Sequence, residues 1–409
     1  MKKIWFLNHY AIPPNMGGGT RHYDLSEELI KRDYDVTVVA SSFEIKTRKE
    51  KLEINEKYRI EVLNGVKFIW IKTYPYKTNN YKRFFNMISF ALNSYKVCRK
   101  MEKPDVIIAS SVHPFTCISG YFLAKKKKAR YIAEIRDLWP QTLIDMGALK
   151  ERSIVTKVFR YIEKFIYKRA EKIIILLPKI ADYIKSYGIS DEKLVYIPNG
   201  VVIKRYDEII SLNKNSLTVS KIMKDHIGKF TAIYLGAHGP ANNLENIIKS
   251  AKIIQSNGCD DIHFLMVGDG VTKSKLVDMV KEQGITNVFF YQPIAKYDVP
   301  LLLKEIDVCL FNLAKVDVFK YGISPNKLFD YLSSKKPIVF ACETTNDIVN
   351  EAQAGISIKP ENEVLFAETV LKIYKMNENE RKTLGINGRR YVEEFHDISV
   401  LVSKLEEIL

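Results

Sequence analysis

Residues 320–341 read KYGISPNKLFDYLSSKKPIVFA. Pro325 suits the entry of a helix, Asn326 and Lys327 fall in its first turn, and Asp330 follows Lys327 at i+3 on the same side. The apolar run Pro337–Phe340 then has the length of a buried strand. The same alternation extends through the second half, with strands expected at Phe230–Tyr234, His263–Val267, Val288–Tyr291 and Val308–Phe311. In the first half the corresponding runs are Ile4–Leu7, Val36–Ala40, Val66–Ile71, Val106–Ser110, Tyr131–Ile135 and Ile173–Leu176. Strands alternating with helices build parallel sheets, so the pattern predicts an α/β fold with two doubly wound, Rossmann-like domains. The turn Pro198-Asn199-Gly200 and the polar stretch 204–229 place a linker near 200–228, between a domain over 1–200 and another over 201–386. Residues 387–409 have helical spacing beyond the last strand and are expected to cross back and complete the first domain. Two such sheets facing across a cleft would offer a ligand the carboxyl ends of their strands.

Composition agrees with that division. A chain of 409 residues, 46% hydrophobic and 27% charged, has material for two ordinary cores and excludes a disordered tail or a disulfide mini-protein. Cys98, Cys117, Cys259, Cys309 and Cys342 stand far apart with no CxxC pair, which argues against a disulfide framework or a structural zinc. The opening MKKIWFLNHY holds no signal-peptide core and no later run reaches the ~18 apolar residues of a membrane span, so a cytoplasmic protein is expected. The net charge of +15 is carried by one half: residues 1–200 hold 37 Lys and Arg against 21 Asp and Glu, residues 201–409 hold 26 against 27. The first half therefore faces something anionic: nucleic acid, an acidic bilayer or a phosphorylated substrate.

Three loops carry the chemistry. After the first strand comes IPPNMGGGTRHYDLSEELIKR, where Gly17, Gly18 and Gly19 precede a helix beginning near Thr20, a place for close backbone approach and anion contact. The spacing is not the GxGxxG dinucleotide fingerprint. In the second half, a strand ending near Leu235 runs into GAHGPANNLENIIKSAKII, where Gly236 and Gly239 bracket His238 before a helix near Asn242; this loop can present amides to a phosphate. VGDGV, residues 267–271, is a further strand-end loop placed near a nucleotide. In the stretch 320–341, the ammonium of Lys327 and the first-turn amides suit a pyrophosphate, and the carboxylate of Asp330 suits a ribose. A capped helix with an i,i+3 ion pair is the structural alternative.

GGGTRHYDLSEELIKRDYDVTVVA, EIRDLWPQ, VYIPNGV, YLGAHGPANNLENII, LMVGDG and GISPNKLFDYLSSKKPIV together resemble the retaining GT-B glycosyltransferases of family 4, and most of all the bacterial branch that transfers N-acetylated deoxyamino sugars such as N-acetyl-L-fucosamine in O-antigen or capsule assembly. The resemblance implies a UDP-sugar donor on the C-terminal domain and an acceptor on the N-terminal one. Asp330 matches the second acid of the family's E-x7-E motif, whereas the first is replaced by Gly322. Sugar contacts are therefore expected from the backbone amides of Ile323, Ser324 and Asn326, within a donor segment that also includes Pro325 and Leu328. Lys327 resembles the residue that neutralises the pyrophosphate, and His238 with Gly239 falls in the phosphate loop, which lacks the usual Arg. The loop near Gln292–Ala295 is expected to meet the base. Gly18 and Gly19 are assigned to donor contact. In the N-terminal domain, Arg136 and Asp137 align with a strand-end pair lining the active site and His113, on the neighbouring loop, is a candidate proton donor; with Lys327 these are the expected catalytic residues. Each also has a structural reading, as an ion pair or as a packed or capping histidine.

Asp33-Tyr34-Asp35 matches a DxD metal signature by letter but precedes a strand, and no other carboxylate cluster suggests a divalent ion, so the enzyme is expected to need no metal or other cofactor. Lysine and helix dipoles would stabilise the leaving group instead. In residues 81–100, Tyr81, Phe84, Phe85, Ile88, Leu92 and Tyr95 share a helical face flanked by Lys82, Arg83, Lys96 and Lys100. Lys157, Arg160, Lys164 and Lys168 form a basic face opposite Val158, Ile162, Phe165 and Ile166, and Lys125–Lys128 form a separate run. These features predict peripheral attachment to the inner leaflet and a polyprenyl-diphosphate-linked saccharide acceptor; for 157–168 a helix packing its apolar face on the sheet with a solvated basic face is the structural alternative. Aromatics do not interleave with the lysines as a stacking platform, which excludes a nucleic-acid partner. A UDP-amino-sugar epimerase of the same architecture is the alternative reading.

Overall fold

The computed structural model describes residues 1–16, 18–45, 47–77, 81–212 and 216–409, so Gly17 of the glycine loop lies outside the described residues. The described chain divides into two compact units: Met1–Pro14, Gly18–Pro198 and Ile398–Leu409 in the first, and residues 15–16 with Asn199–Asp397 in the second.

The first unit is built on β1 (Lys3–Leu7), β2 (Asp35–Ser41), a short ribbon of β3 (Phe43–Glu44) and β4 (Lys49–Glu50), β5 (Tyr58–Leu63), β6 (Val66–Ile71), β7 (Val106–Ser110), β8 (Arg130–Ile135), β9 (Lys172–Ile175) and β10 (Leu194–Tyr196). Its main sheet runs β10-β9-β8-β7-β1-β2-β6-β5. All neighbours are parallel except β5 and β6, a hairpin closed by Asn64 and Gly65, both at positive φ. This antiparallel edge, the three-residue β10 and the ribbon were not among the expected strands. The central strands are apolar throughout, as a sheet covered on both faces requires, with Phe6, Val38, Ile108, Ile132 and Ile173 fully buried. Helix Pro114–Lys127 lies directly on the sheet because Gly120 has no side chain; a Cβ there would stand 2.4 Å from that of Ala109. The closing helix Ile398–Glu406 packs beside helix Arg21–Lys31, where Arg32 donates to Glu406 at 2.6 Å and to the Ser399 carbonyl at 2.8 Å.

The second unit contains β11 (Phe230–Leu235), β12 (Ile262–Val267), β13 (Val288–Tyr291), β14 (Val308–Asn312), β15 (Ile338–Ala341) and β16 (Gly355–Ile358), all parallel in the order β13-β12-β11-β14-β15-β16. The polar stretch expected to be a linker is instead part of this unit. It forms helices Ile203–Ser211 and Leu217–Met223, which bury Ile203, Tyr206, Val219 and Ile222 in the core with Leu302 and Leu303. Polar residues spaced between those apolar anchors hid a helical period. The C-terminal segment also splits: helix Glu378–Phe395 stays with the second unit, Arg389 gripping Asp207 at 2.6 and 2.9 Å, and only the residues after Asp397 join the first.

In each sheet the strand order reverses beside the first strand, between β1 and β7 and between β11 and β14. The loops at the carboxyl ends of those strands are where an open parallel sheet binds ligands.

Candidate active site

In the second unit, β11 delivers Gly236, Ala237, His238 and Gly239 to the switch point. The loop Val267–Val271 after β12 packs against them. Gly268 sits at φ +149, and a Cβ there would meet the Gly236 carbonyl oxygen at 1.8 Å, so the close approach of the two loops requires glycine. This packing uses the amides expected to face a phosphate: Gly236 N–H donates to the Val267 carbonyl at 2.9 Å and His238 N–H to that of Asp269 at 2.8 Å. The helix expected near Asn242 begins at Leu244, after a single tight turn at Pro240–Asn242. Lys273 is also committed, to the carbonyls of Gly268 and Tyr291 at 2.7 and 2.9 Å.

Lys327, in the first turn of helix Asn326–Ser333, takes the place those amides vacate. Its ammonium lies over the Tyr234 ring, 4.1 Å from the centroid, and donates to the Tyr234 hydroxyl at 2.6 Å and to Asn242 Oδ1 at 3.0 Å. No carboxylate among the described residues pairs with it, and burial lowers its pKa to about 7. Beside it His238 is fully buried, and neither ring nitrogen has a hydrogen-bond partner among the described residues. Burial and then the charges of Lys273 and Lys327 lower its pKa to about 4, so the imidazole is neutral. A buried polar group left unpaired costs about 1–3 kcal/mol, which an arriving hydrogen-bonding ligand would recover.

Asp330 lies one turn deeper, but the i,i+3 pair with Lys327 does not form. Lys296, which the sequence reading did not single out, donates to both carboxylate oxygens of Asp330 at 2.6 and 2.7 Å. Lys296 follows the Gln292–Ala295 loop by one residue, so the ion pair ties that loop to the helix. Gly322, at φ +101, turns the chain into the donor segment. The expectation that Ile323 offers its amide to a sugar is corrected: Asn346 takes it at 2.8 Å and donates to the Ile323 carbonyl, also at 2.8 Å. Ser324 accepts from Asn199 at its hydroxyl, 2.8 Å, and at its carbonyl, 2.6 Å. Pro325 precedes the helix, Asn326 opens it, and Leu328 points into the core.

In the first unit, His113 ends the segment after β7 and is fully buried, its Nε2 2.7 Å from Nδ1 of His9 beyond β1. Burial, then the Arg83 charge, lowers the His113 pKa to about 3. Burial likewise holds His9 well below its ordinary range, helped by His113 and Arg83. Two neutral imidazoles thus share one proton bridge across the β1/β7 switch point. Arg136 and Asp137 follow β8, with Arg136 N–H on the Ser111 hydroxyl at 3.1 Å and Asp137 exposed; no hydrogen bond or ion pair joins the two. Gly18 and Gly19 are exposed and precede Thr20, whose hydroxyl donates to Asp24 at 2.5 Å.

Behind this edge is a network the sequence reading missed. Glu134, inside β8, accepts from Arg21 Nε at 2.9 Å, His22 Nε2 at 2.9 Å and the Ser110 hydroxyl at 2.8 Å. Asn8 donates to His22 Nδ1 at 2.9 Å, which fixes the proton on Nε2. Arg21 also reaches the carbonyls of Ile197 and Pro198. Burial opposes ionisation of Glu134, but Arg21, His22 and Arg136 outweigh it and hold the carboxyl well below its ordinary range. The signal was a lone glutamate inside an apolar strand.

Asp33-Tyr34-Asp35 forms the turn from helix Arg21–Lys31 into the amino end of β2, with Asp33 at φ +62. On helix Tyr81–Cys98, Tyr81, Phe84, Phe85 and Leu92 are exposed while Met87 and Phe90 face the core. Helix Ile154–Arg169 differs from expectation. Arg160 is bound to Gln141 at 2.6 Å and to Glu151, and Ile166 is buried, leaving Lys157, Lys164 and Lys168 exposed. Lys127 is likewise occupied, on the Met101 carbonyl. Among the described residues, no helix is long and apolar enough to cross a membrane.

Residues 16–205 match the family model described as Glycosyltransferase Family 4, and residues 221–391 that described as Glycosyl transferases group 1. With the two sheets, these matches make the chain a glycosyltransferase of the GT-B type. It is 24% identical over 300 residues to the "Putative colanic acid biosynthesis glycosyl transferase WcaI" of Escherichia coli, covering 72% of each chain. It is 22% identical over 295 residues to the "Probable glycosyltransferase WbjE" of Pseudomonas aeruginosa, covering 70% of each. Among solved structures, Anabaena HepE in complex with UDP-glucose superposes with a TM-score of 0.69 at 14% identity, over 100% of this chain and 99% of that one.

Proposed function

We propose that the chain transfers an N-acetylated, deoxyamino sugar from its UDP-activated form to a polyprenyl-diphosphate-linked saccharide, with retention at the anomeric carbon. The observation that carries the donor reading is the pair at the β11/β14 switch point. Among the described residues, a desolvated ammonium without a carboxylate stands beside an imidazole without a hydrogen-bond partner. A diphosphate supplies what both lack. Lys327 would neutralise the leaving diphosphate, His238 would donate to the donor, and Asp330, oriented by Lys296, would accept from the ribose hydroxyls. The WcaI name, which places that protein in colanic acid biosynthesis, and the UDP-glucose in the HepE complex support a surface-polysaccharide role and a uridine nucleotide.

Attack is from the front face, the acceptor hydroxyl passing its proton to the departing phosphate oxygen, so catalysis is positioning plus charge stabilisation and needs no metal. His113 and His9, both neutral, are suited to hydrogen-bonding a sugar hydroxyl, not to supplying a proton. Arg136 and Asp137 would line the acceptor side. The exposed aromatics of helix Tyr81–Cys98, with the exposed lysines 157, 164 and 168, support peripheral attachment to an anionic inner leaflet.

The test is incubation with a panel of UDP-N-acetylamino sugars, with and without lipid-linked saccharide and chelator. Transfer that needs the acceptor and persists in chelator is expected. Conversion of the UDP-sugar alone would make the chain an epimerase, and activity lost to chelator and restored by magnesium would overturn the metal-free mechanism.

A further inference from the structure

β5 is the outer strand of the first sheet, and its free edge is complementary to itself. The two-residue turn Asn64-Gly65 makes Leu63 and Val66 a hydrogen-bonded pair, and alternation along the ladder gives the same status to Glu61 with Phe68 and Arg59 with Trp70. Lys72 N–H on the Lys57 carbonyl at 3.1 Å has the same phase. Tyr58, Ile60 and Val62 therefore turn their N–H and C=O groups away from β6, toward the open edge. Their side chains share one face of the strand and are 44%, 48% and 64% exposed. Arg59 and Glu61 occupy the other face, Glu61 oriented by the Trp70 indole N–H at 2.7 Å and Arg59 bonded, among the described residues, to the half-buried Glu56 beside it.

Consider a second β5 laid antiparallel about a two-fold axis through Ile60. Tyr58 then opposes Val62 of the second copy, Ile60 opposes Ile60, and every outward N–H of these residues meets an outward C=O. Arg59 falls opposite Glu61 of the second copy, and Glu61 opposite its Arg59. A slip of two residues in either direction would set Arg59 against Arg59 or Glu61 against Glu61, so charge selects this register. An open edge with no proline and this complementarity is a template for its own kind. We propose that the protein forms a two-fold homodimer by edge pairing of β5, the first sheet continuing from one copy into the other. Strand pairing alone buries a small area, so the association is expected to depend on concentration.

Sedimentation velocity on the full chain over a concentration series tests this, with a monomer–dimer equilibrium expected. Ile60→Pro removes an outward N–H and no bond to β6, and should give monomer at every concentration. Arg59→Glu and Glu61→Arg each place like charges face to face and should weaken the dimer at least tenfold, whereas the double exchange should restore it; this set decides the matter even if the proline variant misfolds. A wild-type chain that stays monomeric throughout, or a dimer indifferent to the charge exchanges, would overturn the proposal.

Discussion

At the carboxyl edge of the first sheet Arg21, His22 and Glu134 satisfy one another, whereas at that of the second, among the described residues, no carboxylate pairs with the buried Lys327 and no group hydrogen-bonds the His238 ring. Both regions are strand ends at a reversal of strand order, and both are rich in polar side chains. The difference lies in what remains unspent. A closed buried network fixes the scaffold and has nothing left for a ligand, while an open one is tolerated only where a ligand completes it.

Breaking the closed network should have the largest effect. Glu134→Gln leaves Arg21 buried without its counter-charge and should cost about 3–5 kcal/mol of stability, read by calorimetry as a fall in melting temperature, with the affinity of the surviving native protein for UDP-sugar unchanged. Because the native Glu134 carboxyl is held below its unfolded value, its contribution is present at neutral pH and lost on acidification. The deficit of the variant should therefore shrink below about pH 4.

Lys327→Met addresses the open network and should invert the pattern. UDP-sugar affinity by titration calorimetry should fall about 100-fold, or roughly 2.7 kcal/mol, while the unliganded melting temperature changes little because a desolvated ammonium has been removed. Equal losses of stability and affinity in both variants would erase the distinction.

A smaller effect sharpens it. With a pKa of about 7 before ligand binds, Lys327 is charged below that pH and must take up a proton to bind an anion above it. Affinity for a UDP-sugar, whose diphosphate diester does not titrate in this range, should weaken above pH 7 by at most tenfold per pH unit, and Lys327→Arg should flatten the profile.

Much of the fold was legible because parallel strands buried on both faces read as unbroken apolar runs, as in Val106–Ser110 and Ile262–Val267. The hairpin strand Tyr58–Leu63 was not, being exposed on both faces and charged at alternate positions, although Asn64-Gly65 signalled its turn. The helices over 203–223 were hidden because two short amphipathic segments among polar residues look like a linker until a core receives their apolar sides. At the site, Lys327, Asp330 and His238 could be named in advance from their place after a strand or at a helix start. Their partners could not: Lys296 on Asp330, Asn346 on Ile323 and Glu134 between Arg21 and His22 come from segments 23 to 113 positions away along the chain.

What the sequence determined by itself is local and periodic: which runs bury, which turns need glycine, and which charged residues end a strand or open a helix. What only the tertiary structure decided is which of those groups are already satisfied. Hydrogen bonds and ion pairs are settled by distance in space, and on that basis the Gly236 and His238 amides, which seemed available to a phosphate, are occupied, while the Lys327 ammonium and the His238 ring are left to receive it.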